Sequence, residues 1–413
     1  MSEFTYESAV SLLAEKKQIH LLKYYHELTD KQQKSLLKQI SELDWDMIAL
    51  ASSKKYTETK NNKKIEPLGA MERSEIKQRC KEFEAIGLEA LRAQKIGAVL
   101  LAGGQGTRLG FDKPKGMFNI GVTHPLYIFE CLISNLMDVA RQADTWIPLY
   151  VMTSQKNHND TVAFFAEHDY FGYDPESIRF FIQNMAPSVD FNGKVLLESK
   201  DRISLSPNGN GGWFSSLCRA GYLEEMQEKG IEWLSVFSVD NVLQRINDPA
   251  FVGAVIESGC DCGGKVVRKA SPEERVGVLC QESGKPAIVE YYEMTDDMRN
   301  LRDENGTLLY NFGVTLNYLF RLDRLKEIRD QKLPIHIVEK KIPYIDENGT
   351  LIRPEVPNGY KFEDLVLDMI HMMNSCLPYE VVREKEFAPV KNKEGNDSVD
   401  TARELLKLNG VEI

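Results

Sequence analysis

The stretch LAGGQGTRLGFDKPKGMF, Leu101 to Phe118, decides how this chain is read. Directly before it, Ile96-Gly97-Ala98-Val99-Leu100-Leu101 is a short apolar run of the kind that forms a buried strand. The run leads into Gly103, Gly104 and Gly106, with Arg108, Gly110 and Lys113-Pro114-Lys115-Gly116 close behind. A strand that ends in a glycine-rich turn presents backbone N–H groups that no Cβ shields, so a phosphate can approach them closely. Arg108 and Lys115 add fixed positive charge. Two common glycine loops do not fit. A dinucleotide G-x-G-x-x-G needs glycine where Leu109 stands, and no window matches the Walker form G-x-x-x-x-G-K-[ST].

Composition narrows the partners. The chain has 413 residues and a net charge of −11, which argues against general nucleic-acid or membrane-surface binding. An anionic ligand must therefore find a local basic pocket, and each Lys or Arg beside a glycine loop gains weight. The seven cysteines are scattered, and the close pair Cys260-Asp261-Cys262 has no second pair to complete a zinc site. Reduced thiols in a cytoplasmic protein are the expectation. The N-terminus lacks the basic-then-apolar pattern of a signal peptide, and no window reaches the length of a membrane span.

Patterning outward from the loop gives the architecture. Residues 1–50 carry helical spacing, with Asp30 as the N-cap before KQQKSLLKQISEL, and Ala51–Ala70 is a polar, lysine-rich surface loop. A helix over Glu72–Gln94 leads into the key strand. Strands are expected at Ile96–Leu101, Ile147–Thr153, Ile178–Ile182, Trp233–Val239 and Gly264–Arg268. Helices are expected at Tyr127–Gln142, His158–Glu167 and Gly212–Lys229. Strands separated by helices imply an α/β fold with a doubly wound, mixed but mostly parallel sheet, and ligands sit at the carboxyl ends of such strands. Three segments follow in chain order: an N-terminal helical segment (1–94), a catalytic domain (95–333) and a smaller C-terminal lobe (334–413).

Further residues fit the same crevice. The cluster Pro207-Asn208-Gly209-Asn210-Gly211-Gly212 precedes an apolar helix, where free N–H groups can meet a ligand. Asn210 adds an amide suited to hydroxyls or a base edge. In Trp233-Leu234-Ser235-Val236-Phe237-Ser238-Val239-Asp240-Asn241 a carboxylate ends a buried strand. Such a group needs a partner, and Mg²⁺ takes one or two carboxylates plus substrate phosphates. Asp240 thus reads as a metal anchor, with an N-cap for the next helix as the alternative. Gln183 carries an amide that both donates and accepts, as a uracil edge requires.

These motifs together resemble the sugar-nucleotide pyrophosphorylases, whose signature L-x-G-G-x-G-T-R-L-x-x-x-x-P-K matches Leu101 to Lys115. The form LAGGQGTRLG with PKGM is most similar to the eukaryotic-type UDP-N-acetylhexosamine pyrophosphorylases and their bacterial relatives. The resemblance runs from Glu82 to Arg403 and implies a Rossmann-like nucleotidyltransferase fold. It assigns uridine and phosphate contacts to Leu101, Ala102, Gly103, Gly104, Lys115, Gln183, Gly209, Asp240 and Lys361. It assigns sugar contacts to Asn210, Glu290, Tyr291, Asn311 and Lys391, and catalysis to Arg108, Lys115 and Lys391. Val239-Asp240-Asn241 matches the family V-D-N, which implies Mg²⁺, or Mn²⁺, on Asp240. Lys340-Lys341 also matches, without an assigned role.

Departures concern mainly the sugar. Asn208 replaces an aspartate and Asn184 a glycine, while the family N-A-G-N reads Asn311-Phe312-Gly313-Val314 here. Val314 removes a polar sugar contact, and Phe312 in place of alanine adds bulk nearby. The implied reaction joins UTP and a hexosamine 1-phosphate to give a UDP-sugar and pyrophosphate. The nucleophilic phosphate oxygen is already ionised, so no general base is required, and the seven histidines lie in none of the motifs. N-acetylglucosamine is the first choice of sugar. A UDP-glucose or broad UDP-sugar enzyme, and an inactive nucleotide-sugar binding protein, remain open at this level.

Overall fold

The computed structural model describes residues 4–52, 64–329, 331 and 333–413. These form two compact units, neither continuous in sequence. The larger takes the described residues of Lys63–Gln183, Trp213–Lys332 and Val366–Ile413; the smaller takes those of Met1–Asn62, Asn184–Gly212 and Leu333–Leu365. The division at 94/95 and 333/334 expected from the sequence follows chain order. The compact units instead gather segments distant along the chain, because strand pairing joins Cys376–Glu380 to Cys262–Arg268 and Gly359–Glu363 to Val189–Asp190.

The larger unit is built on a ten-stranded mixed sheet. Its centre is four parallel strands in the spatial order Ile178–Ile182, Leu149–Thr153, Ile96–Leu101, Trp233–Ser238. Ile96–Leu101 and Trp233–Ser238 are buried at every position, as strands covered on both faces must be. Beyond them Phe312–Arg321 runs antiparallel to Trp233–Ser238 and carries the rest of the sheet: Cys262–Arg268, Val278–Glu282, Lys285–Val289, Cys376–Glu380 and the short Ile65–Pro67. Helices cover both faces. Ala98, Leu100 and Phe237 share a core with the helices Ile128–Ala143 and Pro249–Ser258. On the other face Tyr222 meets Tyr150 and Trp213 meets Phe320. This is the doubly wound α/β sheet expected from the alternating pattern.

Local departures have local causes. The helix expected over Gly212–Lys229 is two helices, Trp213–Arg219 and Tyr222–Glu228, broken where Gly221 adopts φ 83°. Within the stretch read as a surface loop, Ile65–Pro67 is an edge strand on Val278–Glu282, while residues 53–63 lie outside the described residues. Asp30 is the first residue of its helix. Thr29 caps it instead, in a capping box with Gln32. In the smaller unit Leu13, Leu36 and Ile40 pack with Val189 and Phe362 of a three-stranded sheet ordered His336–Lys340, Gly359–Glu363, Val189–Asp190. No helix among the described residues is long and apolar enough to cross a membrane.

A buried ion cluster fixes the segment that follows Cys376–Glu380. Lys265, 1% exposed, donates to Glu386 Oε2 (2.5 Å) and Arg245 O (2.9 Å) and lies 3.5 Å from Asp248 Oδ2. Burial holds the Glu386 carboxyl above its usual range, and Lys265 opposes that rise. Lys265→Met would leave the buried Glu386 carboxylate without its closest cation, while Asp248 keeps Arg245 (3.5 Å). A loss of about 3–5 kcal/mol is expected in urea unfolding at neutral pH. Removing the cation raises the folded-state carboxyl further, so the deficit should be small at acid pH and grow as pH rises through the folded value. A deficit independent of pH would refute the electrostatic account.

Candidate functional site

The strand order reverses beside Ile96–Leu101, and at such a switch point a crevice opens at the carboxyl ends of the strands. Parallel register aligns Leu101 with Ser238, and Val239 N donates to Leu101 O (3.2 Å). The glycine loop and Asp240 therefore leave the sheet side by side. Gly106 N donates to Lys113 O (3.0 Å) and Lys115 N to Gly104 O (3.2 Å), folding the loop back on itself. The amides of Gly103, Gly104, Gln105, Thr107 and Arg108 meet no acceptor among the described residues. A run of unsatisfied N–H groups is the feature an anion requires. Arg108 is exposed and has no ion-pair partner among the described residues.

Lys115 is the buried cation of the site, with its side chain 10% exposed and ion-paired to Asp240. Asp240 N donates to Ser238 Oγ (3.0 Å), and Gln244 Nε2 donates to Ser238 O (2.7 Å). Asp240 is thus not a helix cap; Asp248 caps the next helix, accepting from Ala250 N. Among the described residues no group of three His, Cys, Asp or Glu could hold a metal. One half-exposed carboxylate beside a phosphate cradle suits Mg²⁺ completed by substrate and water oxygens, and does not suit an all-protein cage.

Gln183 closes one side of the loop. Its backbone N donates to Thr153 O (2.8 Å) and its amide presses on Gly103, where an added Cβ would lie 2.6 Å from Nε2. Lys391 arrives from far along the chain. Val390 N donates to Asp240 O (2.8 Å), while Asn241 donates to Glu386 O (2.7 Å) and accepts from Ala388 N (2.9 Å). Lys391 itself pairs with Asp397 (3.1 Å).

The sugar candidates Glu290, Tyr291 and Asn311 lie at the same end of the sheet. Because Phe237 faces Asn317 on the antiparallel Phe312–Arg321, the start of that strand lies toward Asp240. Val314 N donates to Gly277 O (2.9 Å), and a Cβ on Gly277 would be 3.4 Å from Glu290 Oε1, so Gly277, Glu290 and Val314 are neighbours. Asn311 Oδ1 accepts from Lys269 N (3.1 Å). Arg299 holds the Tyr291 carbonyl (3.0 Å), and the Tyr291 ring is exposed. The Phe312 ring is buried beneath the Arg268 guanidinium, 5.3 Å away.

Three assigned residues belong to the smaller unit: Gly209, Asn210 and Lys361. Gly209 has φ +86°, and a Cβ there would stand 2.3 Å from Asp364 O, so only glycine fits. Asp364 N donates to Asn208 O (2.6 Å), and Asn208 Nδ2 donates to the Asp364 carboxylate (3.1 Å). The amide at 208, in place of the family aspartate, thereby avoids two facing carboxylates. Lys361 faces Val338 across the sheet, and Lys340 is two residues along on the same face. Burial, with Lys340 adding to it, pulls the Lys361 ammonium below the usual lysine range, and Glu363 partly offsets this.

Sequence reading missed Asn157, Gly277 and Asp397, which act through contacts that spacing does not encode. A cavity of about 600 Å³ beside Arg73, Arg268, Glu380 and Glu386 lies apart from these residues. Much of its charge is internally paired, Arg268 with Glu72 and Glu380, and Glu386 with Lys265.

Comparison with known proteins bears on this arrangement. The sequence profile described as UTP--glucose-1-phosphate uridylyltransferase matches residues 29–408. The human UDP-N-acetylhexosamine pyrophosphorylase-like protein 1 is 40% identical over 352 residues, covering 83% of this chain and 69% of that protein. The Saccharomyces cerevisiae UDP-N-acetylglucosamine pyrophosphorylase is 37% identical, covering 79% of this chain and 71% of that protein. The Trypanosoma brucei uridine diphosphate N-acetylglucosamine pyrophosphorylase, solved with an inhibitor, superposes with a TM-score of 0.82 at 27% identity. It covers 98% of this chain and 84% of that one.

The Gly103 contact carries a direct expectation. Gly103→Ala should displace the Gln183 amide and weaken UTP binding about tenfold or more by calorimetric titration, with the melting temperature little changed. Unaltered affinity would show that Gln183 does not border the nucleotide.

Proposed function

The chain belongs to the UTP--glucose-1-phosphate uridylyltransferase family, and from that premise we propose that it makes UDP-N-acetylglucosamine and pyrophosphate from UTP and N-acetylglucosamine 1-phosphate. The observation that carries this reading is the set of acceptor-free amides of Gly103, Gly104, Gln105, Thr107 and Arg108, beside the Lys115–Asp240 pair. A triphosphate supplies the acceptors those amides lack. An oxygen of the sugar phosphate attacks the α-phosphorus of UTP, and the bond to the β-phosphate breaks, releasing pyrophosphate with the electron pair. The nucleophile is already ionised, so positioning and electrostatics carry the rate.

Lys115 and Arg108 neutralise the phosphate chain in this scheme. Lys391, tethered to Asp240 through Val390, holds the sugar phosphate. Lys361 keeps the phosphate role that the resemblance gives it. Gln183, Gly209 and the backbone of Leu101–Gly104 receive uracil and ribose; Asn210, Glu290, Tyr291 and Asn311 receive the sugar. Asp240 would hold Mg²⁺, or Mn²⁺, whose charge offsets that building on the phosphates. We place the protein in the cytoplasm, in keeping with seven free thiols.

Val314 favours a second reading of the sugar. Its aliphatic side chain beside Gly277 and Glu290 offers no hydrogen bond, which suits a broader range of UDP-sugars. Pyrophosphate release with UTP, Mg²⁺ and the 1-phosphates of N-acetylglucosamine, N-acetylgalactosamine, glucose and galactose decides between them. Fastest turnover with N-acetylglucosamine 1-phosphate is expected. Comparable turnover with glucose 1-phosphate moves the assignment to a broad UDP-sugar enzyme, and no release with any sugar refutes the activity. Lys115→Ala and Arg108→Ala should each slow release about 10²–10³-fold while remaining folded by circular dichroism. Wild-type turnover of either variant removes that residue from the mechanism.

A further inference from the structure

Asn157 matches none of the phosphate, metal or sugar motifs, yet it is fully buried beneath the glycine loop, at 0% exposure. It is the N-cap residue of the helix His158–Glu167, but its side chain does not bond to that helix. Its Oδ1 accepts from Ser154 N (2.6 Å), and its Nδ2 donates to Ala102 O (3.0 Å) and Gly104 O (3.4 Å). A primary amide offers two N–H donors and one carbonyl, and here the donors bracket Gly103. Ala102 N is also committed inward, to Met152 O (2.9 Å). Gly104 O additionally accepts from Lys115 N (3.2 Å), so Asn157 shares an acceptor with the residue that carries the buried cation.

We propose that Asn157 is the positioning residue of the phosphate loop. It holds the Ala102 and Gly104 carbonyls on the protein side, which leaves the Gly103, Gly104 and Gln105 amides for the ligand. Through Gly104 it also fixes the backbone that presents Lys115. The proposal rests on the uridylyltransferase reading, in which the ligand is the phosphate chain of UTP. Without the amide, two carbonyls in a buried pocket lose a donor, and the loop relaxes to recover hydrogen bonds elsewhere.

The test uses Asn157→Asp. This variant keeps the size and the acceptor for Ser154 N, and because it also buries a charge its fold is checked by circular dichroism. It removes both donations and sets a carboxylate against two carbonyl oxygens. Asn157→Ser, too short to reach either carbonyl, removes the donations without adding charge. Both variants should raise KM for UTP about tenfold or more while leaving KM for the sugar phosphate unchanged. Hydrogen exchange by mass spectrometry should accelerate selectively in the 101–118 segment. Wild-type KM for UTP together with wild-type exchange in that segment would overturn the proposal. So would uniformly faster exchange across the protein with unaltered KM, which is the signature of a merely structural residue. If the wild-type protein releases no pyrophosphate from UTP, the catalytic reading falls, and exchange in 101–118 still decides whether Asn157 holds the loop.

Discussion

Everything at this site depends on one parallel pairing, that of Ile96–Leu101 with Trp233–Ser238. The two strands are separated by more than a hundred residues of chain, yet they run in register with Leu101 beside Ser238. That alignment makes a glycine loop and an aspartate leave the sheet together at the point where the strand order reverses. Were the register slipped by one residue, the buried side chains would exchange faces, and their packing against the helices on both sides would be mismatched. The hydrophobic burial of the sheet therefore also sets the distance between Lys115 and Asp240. Stability and site geometry are consequences of the same packing.

Around that pairing three lysines are each held by carboxylates. Lys115 rests on Asp240 and Lys391 on Asp397, while the buried Lys265 is shared by Glu386 and Asp248. A chain of net charge −11 cannot attract a triphosphate by its overall field. In the proposed reaction local attraction comes from the unsatisfied amides of the glycine loop, from Arg108, and from cations that can exchange a carboxylate for a phosphate. The Glu386–Asn241 and Val390–Asp240 hydrogen bonds tie the buried cluster to the same corner, so the segment carrying Lys391 is held at both ends of its approach.

Much of this was legible along the chain. Ile96–Leu101 and Ile178–Ile182 coincide with strands, and His158–Glu167 with a helix, because their patterns are short, strongly apolar or strongly periodic. The helix written as Gly212–Lys229 broke at Gly221, where a positive φ interrupts a pattern that periodicity alone would continue. The Phe312 ring packs under Arg268, a contact that nothing in Asn311-Phe312-Gly313-Val314 announces. Asn157 carried no readable role, since Ser154-Gln155-Lys156-Asn157 looks like any turn that opens a helix.

The sequence by itself determined the glycine loop, the doubly wound sheet and the types of residue proposed to meet UTP. Those depend on local properties: glycines without a Cβ, apolar runs and the charge of single side chains. Only the tertiary structure decided which groups become partners. It set Asn157 under Ala102 and Gly104, Val390 against Asp240, Glu290 beside Gly277 and Asn208 opposite Asp364. Each of these contacts joins residues dozens to more than a hundred and fifty positions apart except the nearest, Glu290 with Gly277. Such pairs are fixed by strand register and core packing, which are properties of the whole sheet and cannot be read from any one stretch of the chain.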